Sequence, residues 1–201
     1  MHVLLLDPQR IIETFGLLGI GLAVFAECGL FFGIFLPGDS LLFTAGFLAS
    51  TGLLPISPLI IVVIFASMAG NILGFSIGMK AGARLEGQSY RFVKKEYFEK
   101  TKKFFDRHGR MSIIFARFIP IVRTLIPPLA GVGRMTFSSF VISSIVGGAL
   151  WGTLLPLLGY TLGRTVPNID HYILPIVLFI TFISLTPTLY GLARLVFKNR
   201  E

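Results

Sequence analysis

The chain has 201 residues, of which 54% are hydrophobic and only 14% charged, and it carries a net charge of +8. Soluble domains of this length carry about 25% charged residues, so the composition argues against an ordinary soluble fold. The basic excess lies beside apolar runs, which reads as a topology signal and an attraction to anionic lipid rather than as nucleic-acid binding.

The N-terminal "MHVLLLDPQR" has no basic region ahead of its apolar run, and Asp7-Pro8 follows at once, so it is not read as a cleavable signal. Residues 11–27 read as a first transmembrane helix. Cys28, the single cysteine, has no internal disulfide partner and reads as a small packing residue. Residues 28–54 contain "CGLFFGIFLPGDSLLFTAGFLAS", interrupted at Pro37-Gly38. The helix from Leu30 to Leu36 would rise only ~10 Å and cannot cross a bilayer. This stretch is therefore expected to enter and return as a re-entrant hairpin, with Asp39 or Ser40 capping the returning half-helix.

Residues 56–80 form the next expected span, since Leu53 to Met79 carries no charge and exceeds the ~20 residues a span needs. Gly74, Gly78 and Gly82, and later Gly148 and Gly152, keep a four-residue spacing suited to close helix packing. Residues 84–110 form the one long polar segment; between Lys80 and Arg110 lie ten basic residues and four acids. The positive-inside tendency places this segment in the cytoplasm. Tyr90, Val93, Tyr97, Phe98, Thr101, Phe104 and Phe105 recur at helical spacing, as in an amphipathic helix on the inner leaflet. The plainer alternative is a solvated helix packed on the protein's own loops.

Residues 111–135 include "FARFIPIVRTLIPPLAGVGRM", apolar but carrying Arg117, Arg123 and Arg134 with Pro120, Pro127 and Pro128. Residues 136–163 and 171–193 are clean spans, and the tail adds Arg194, Lys198 and Arg200, again cytoplasmic. Between two cytoplasmic segments the chain must cross an even number of times. The arginine stretch is therefore expected to dip in and return as a second re-entrant hairpin, its three prolines marking the break. The expected fold is an all-α polytopic membrane protein. Its transmembrane helices would hold two opposed re-entrant broken-helix hairpins, in an inverted-repeat transporter-like arrangement.

Four charges remain in apolar surroundings: Glu27, Asp39, Arg117 and Arg123. Each costs roughly 2.5–3.5 kcal/mol at a bilayer centre on the insertion scale; snorkelling from helix ends is the alternative placement. Twelve residues separate the acids and six the arginines, so on straight helices each pair would diverge by about 120°. The breaks at Pro37-Gly38 and Pro120 let each pair converge, giving a neutral cluster of two acids and two arginines. Arginine's planar fork suits phosphate or carboxylate. Carboxylates under the opposed influences of desolvation and neighbouring arginines suit proton exchange. Together these chemistries point to proton-coupled movement of an anion or lipid headgroup.

At these residues the chain resembles the DedA family, the SNARE-associated or VTT-domain membrane proteins. The likeness runs from about Phe15 to Gly163 and is carried by the first-hairpin motif and by F-x-x-R-F-x-P-x-x-R-x-x-x-P-x-x-A-G. The resemblance implies a bacterial cytoplasmic-membrane protein with two re-entrant hairpins and dependence on the proton motive force. It places the family's functional acids on Glu27 and Asp39 and its functional arginines on Arg117 and Arg123. Some family members recycle undecaprenyl phosphate, others are linked to phospholipid movement, and eukaryotic relatives scramble phospholipids.

The leading expectation is a flippase in which Arg117 and Arg123 grip a lipid phosphate while Glu27 and Asp39 exchange protons. Its partners would be membrane lipids and protons, with no cofactor and no metal; a homo-oligomer stays open. A phospholipid scramblase or small-ion transporter is the alternative within transport, and an envelope assembly factor docking through residues 90–105 is the alternative outside it. An enzyme is not expected, because His2, His108 and His171 stand in no catalytic spacing and no phosphate-binding loop is present.

Overall fold

The computed structural model describes residues 8–30, 38–86, 107, 109–165 and 175. Six helices carry these residues: α1 (Pro8–Gly29), α2 (Gly38–Ser50), α3 (Ile56–Glu86), α4 (109–116), α5 (Pro120–Val132) and α6 (Phe137–Thr165). There is no strand among the described residues. The expected amphipathic segment over 87–106, the span over 171–193, the basic tail and Pro37 lie outside the described residues.

Two helices are long. α3 has 31 residues and α6 has 29, so at 1.5 Å per residue each is over ~40 Å long, more than a ~30 Å hydrocarbon core. Their apolar, nearly uncharged sequences make both suitable spans. α2 and α5 have 13 residues each, or ~20 Å, about two thirds of a crossing. α1 is kinked at Gly16, whose φ of 56° falls where side-chain-bearing residues rarely go.

α4 and α5 are two pieces of one broken helix. The N–H groups of Arg117, Phe118 and Ile119 bond to the carbonyls three residues back, at 3.1–3.3 Å, which tightens the chain into a turn. Ile119 is then extended (φ −115°, ψ 109°) and Pro120 takes the first turn of α5. A proline forces extension on the residue before it and loses no hydrogen bond at a helix start, so this break follows from sequence.

Pro127 and Pro128 do not mark a break, contrary to expectation; both lie inside α5. They cannot donate to the carbonyls of Arg123 and Thr124, a loss that weakens an isolated helix. Packing on α3 holds the helix together instead. A Cβ at Gly74 would stand 3.2 Å from Pro127 Cβ, and one at Gly78 would overlap the Pro128 carbonyl. The expected cap of α2 also differs: the helix begins at Gly38, so Asp39 lies in its first turn rather than ahead of it. α5 ends with Met135 N–H bonded to Ala130 O at 3.0 Å and Arg134 at φ 54°. This is a Schellman closure with arginine at the left-handed position usually held by glycine.

The packing has an internal repeat. α1 lies on α3 and α2 on α6. α5 lies on α3, and α4 meets α6 where Ile114 faces Gly147. Exchanging α1–α2–α3 with α4–α5–α6 therefore preserves the neighbours. Glycine makes the crossings close. Cβ atoms at Gly46 and Gly159 would strike the carbonyls of Pro156 and Phe43 across the α2–α6 contact, and one at Gly131 would strike the Phe75 carbonyl across α3–α5. Where lipid surrounds a protein, burying apolar surface drives little helix association, and such backbone proximity supplies the contacts.

Many large apolar side chains are exposed, while several polar and charged ones are buried beside the apolar core. Leu18, Leu22, Phe65 and Phe115 are each more than 60% exposed, whereas Glu27, Asn71, Arg117, Arg123, Ser143 and Ser144 are buried. Buried charge together with this much exposed apolar surface is unusual for a soluble protein.

Candidate functional site

The packing of α1, α2, α4 and α5 brings the four charges together. Glu27 closes α1, Asp39 opens α2, Arg117 occupies the turn after α4, and Arg123 lies in the first turns of α5. Under the repeat, Glu27 corresponds to Arg117 and Asp39 to the start of α5 that carries Arg123. Acids thus come from one half of the chain and bases from the other.

The pairing within the cluster is asymmetric. Arg123 takes both acids, its Nη2 donating to Glu27 Oε1 and its Nη1 to Asp39 Oδ1. Gly38 permits this, because a Cβ there would overlap the Glu27 carboxylate. Trp151 of α6 closes the cluster from the other side. Its indole N–H donates to Asp39 Oδ1 at 2.9 Å, and its ring lies 4.8 Å from the Arg123 guanidinium carbon. The ring is also 5.9 Å from that of Arg117, within the range of cation–π attraction for both.

Arg117 has no carboxylate partner among the described residues. It is 3% exposed. Its Nη1 donates to Cys28 Sγ at 3.4 Å, a weak acceptor, and its Nη2 is buried with no hydrogen-bond partner. Gly147 and Gly148 make room for it: Cβ atoms there would stand 3.0 Å from Arg117 Cγ and 3.5 Å from its Nη2. The four charges sum to zero, yet Arg123 faces two anions and Arg117 none. Removing a charge from water costs several kcal/mol unless a close partner offsets it. The site therefore contains a buried guanidinium with an open donor, the chemistry that takes an oxyanion.

Sequence reasoning named all four charges and the Gly38 and Pro120 breaks. It passed over Trp151, and it gave Cys28 and Gly148 packing roles alone. Trp151 is the single tryptophan of the chain. An indole N–H buried in an apolar run needs an acceptor, and that need was the available signal.

The arrangement defines a helical membrane protein built around a buried ionic cluster held by α1, α2, α5 and α6. Residues 36–161 match the VTT domain family, more than half of the chain. Protein DedA of Escherichia coli K12 is 35% identical over 176 residues, covering 86% of this chain and 80% of that protein. An uncharacterized membrane protein of Mycobacterium leprae is 41% identical over 167 residues, 83% of this chain and 74% of its own. Inner membrane protein YghB of Escherichia coli K12 is 30% identical over 181 residues, 88% and 82% of the two chains. The chain belongs to the VTT-domain, or DedA, family of membrane proteins. No solved structure matches it.

Proposed function

We propose that this protein moves an anionic lipid headgroup, most readily a polyprenyl phosphate such as undecaprenyl phosphate, across the bacterial cytoplasmic membrane with protons as the coupling ion. The observation that carries the reading is the asymmetry of the arginines: Arg123 is held by Glu27 and Asp39, while Arg117 is buried with an open donor. A headgroup phosphate would meet Arg117 first. Protonation of Glu27 would then release Arg123 Nη2 for the same phosphate, and deprotonation would draw Arg123 back and discharge the cargo. The Glu27 carboxylate and the phosphate would thus compete for one guanidinium, so that proton and anion load together, the minimum linkage that coupled transport needs.

In this reading residues 11–27 of α1, α3, α6 and residues 171–193 span the bilayer, and residues 28–54 with α2 and 111–135 with α4 and α5 are the two re-entrant hairpins, entering from opposite faces. The short lengths of α2 and α5 support this, as does the exchange of neighbours between the two halves. The protein would be multi-pass, with its C-terminus in the cytoplasm. Its site chemistry is binding and proton exchange, not bond cleavage.

The test is headgroup translocation of a polyprenyl phosphate in proteoliposomes, comparing the wild-type protein with Arg117→Ala/Arg123→Ala. Movement above empty liposomes that disappears in the double variant is the expected result. Movement equal in both proteins would overturn the reading.

A further inference from the structure

Six buried side-chain atoms lack hydrogen-bond partners among the described residues. Glu27 Oε2 and Arg123 Nε belong to the ionic triad and Thr44 Oγ1 to α2, while Arg117 Nη2, Asn71 Oδ1 and Ser144 Oγ fall along the seam between α3 and α6. The exposures of these last three residues are 3%, 2% and 0%. Their register follows from the glycine contacts. A Cβ on Gly152 would meet Val63 and Ile64, and a Cβ on Gly148 would meet Ser67 Oγ at 3.0 Å and Arg117 Nη2 at 3.5 Å. The two helices therefore run antiparallel with 152 opposite 63–64 and 148 opposite 67. One turn further on, 144 comes opposite 71. Gly70, beside Asn71, packs on Cys28, whose sulfur accepts from Arg117 Nη1. The guanidinium is thus bracketed along α3 by Ser67 and Gly70, and Asn71 shares that face.

Buried polar groups almost always find partners, and each one left without is destabilising. Three at one place, next to a cation without a carboxylate, describe a site built for something else. A water could serve Asn71 or Ser144 but would leave the charge of Arg117 uncompensated. An oxyanion satisfies all of them: it accepts from Arg117 Nη2, from the Ser144 hydroxyl and from the Asn71 amide N–H, which the side chain presents by turning over.

We infer that Arg117, Asn71 and Ser144 form the subsite that first recognises the phosphate, adjoining the ionic triad of Arg123, Glu27 and Asp39 to which the phosphate then passes. This rests on the transport reading above and divides its labour. The subsite selects a phosphate, and the triad responds to protons. The required ligand chemistry is a phosphate monoester or free phosphate dianion: compact, doubly charged and with three acceptor oxygens.

The test uses Trp151, the single tryptophan, which lies within 6 Å of both guanidinium carbons and reports on the site by its own fluorescence. Detergent-solubilised full-length protein is titrated with farnesyl phosphate and, separately, with inorganic phosphate, and thermal midpoints are recorded with and without each probe. Wild type is compared with Ser144→Ala, Asn71→Ala and Asn71→Asp. A saturable response is expected in the wild type, weakened at least tenfold by either alanine. Asn71→Asp puts a carboxylate beside Arg117, so it is expected to abolish binding while holding or raising the ligand-free midpoint. A merely structural role for Asn71 predicts a fall in that midpoint instead.

Binding of farnesyl phosphate without inorganic phosphate identifies a lipid headgroup as the source; equal binding of both identifies free phosphate. Wild-type binding that survives unchanged in all three variants overturns the subsite and leaves the transport reading standing. No response to either probe, by fluorescence or by midpoint, overturns both.

Discussion

The two buried arginines should behave as opposites when each is replaced by glutamine, which keeps most of the stem. Arg123→Gln leaves Glu27 and Asp39 facing each other with no cation between them, at side-chain exposures of 2% and 15%. Breaking a buried pair from one side costs about 3–5 kcal/mol. For a chain of this length each kcal/mol moves a thermal midpoint by about 2–4 °C, so the expected fall is roughly 6–20 °C. Arg117→Gln removes a charge that faces no carboxylate and gives up only the weak contact to Cys28 Sγ and the distant face of Trp151. Its midpoint should move by no more than about 3 °C, and an increase is within the expectation. The assay is thermal unfolding of the detergent-solubilised proteins at one pH and salt concentration, followed by near-ultraviolet circular dichroism. The double variant Glu27→Gln/Arg123→Gln should recover part of the loss, because one of the two stranded acids is gone. Equal falls for Arg117→Gln and Arg123→Gln would refute the asymmetry on which the functional reading stands.

Three more outcomes follow from the same geometry. Gly38→Ala puts a methyl into the Glu27 carboxylate, so it should lower the midpoint by the equivalent of about 1–3 kcal/mol, and the penalty should largely vanish on a Glu27→Ala background. Trp151→Phe keeps a ring over the arginines but deletes the donor to Asp39. It should cost about 1.5–3 kcal/mol, with Trp151→Leu costing more; equal losses would mean that the ring contributes nothing. The buried Cys28 thiol should resist a membrane-permeant maleimide, and Arg117→Ala should speed its labelling by uncovering the sulfur, as read by mass spectrometry.

Much of this site was legible in the sequence because charge in an apolar run is expensive and therefore informative. Glu27, Asp39, Arg117 and Arg123 stood out on that ground alone, and Pro120 supplied the break that lies between the two arginines. The break at Pro120 follows local rules that sequence carries, since a proline constrains both itself and its predecessor. Pro127 and Pro128 misled because their helix-breaking tendency is also local, whereas their fate was decided by packing against Gly74 and Gly78 of another helix. The asymmetry between the arginines was invisible for a related reason. Both appear alike in the motif, and only the three-dimensional approach of α1, α2 and α6 determines which meets the acids. Asn71 and Ser144 are ordinary residues in long apolar helices, and only the antiparallel register of α3 and α6 puts 144 opposite 71.

The central claim is that headgroup and proton use the same cluster. The most direct measurement is polyprenyl phosphate translocation in proteoliposomes with and without an imposed pH gradient, run in parallel for wild type, Arg117→Ala and Glu27→Gln. The account predicts gradient-stimulated movement in the wild type, none in Arg117→Ala, and slow movement indifferent to the gradient in Glu27→Gln. Gradient stimulation that persists in Glu27→Gln, or full movement in Arg117→Ala, would contradict it.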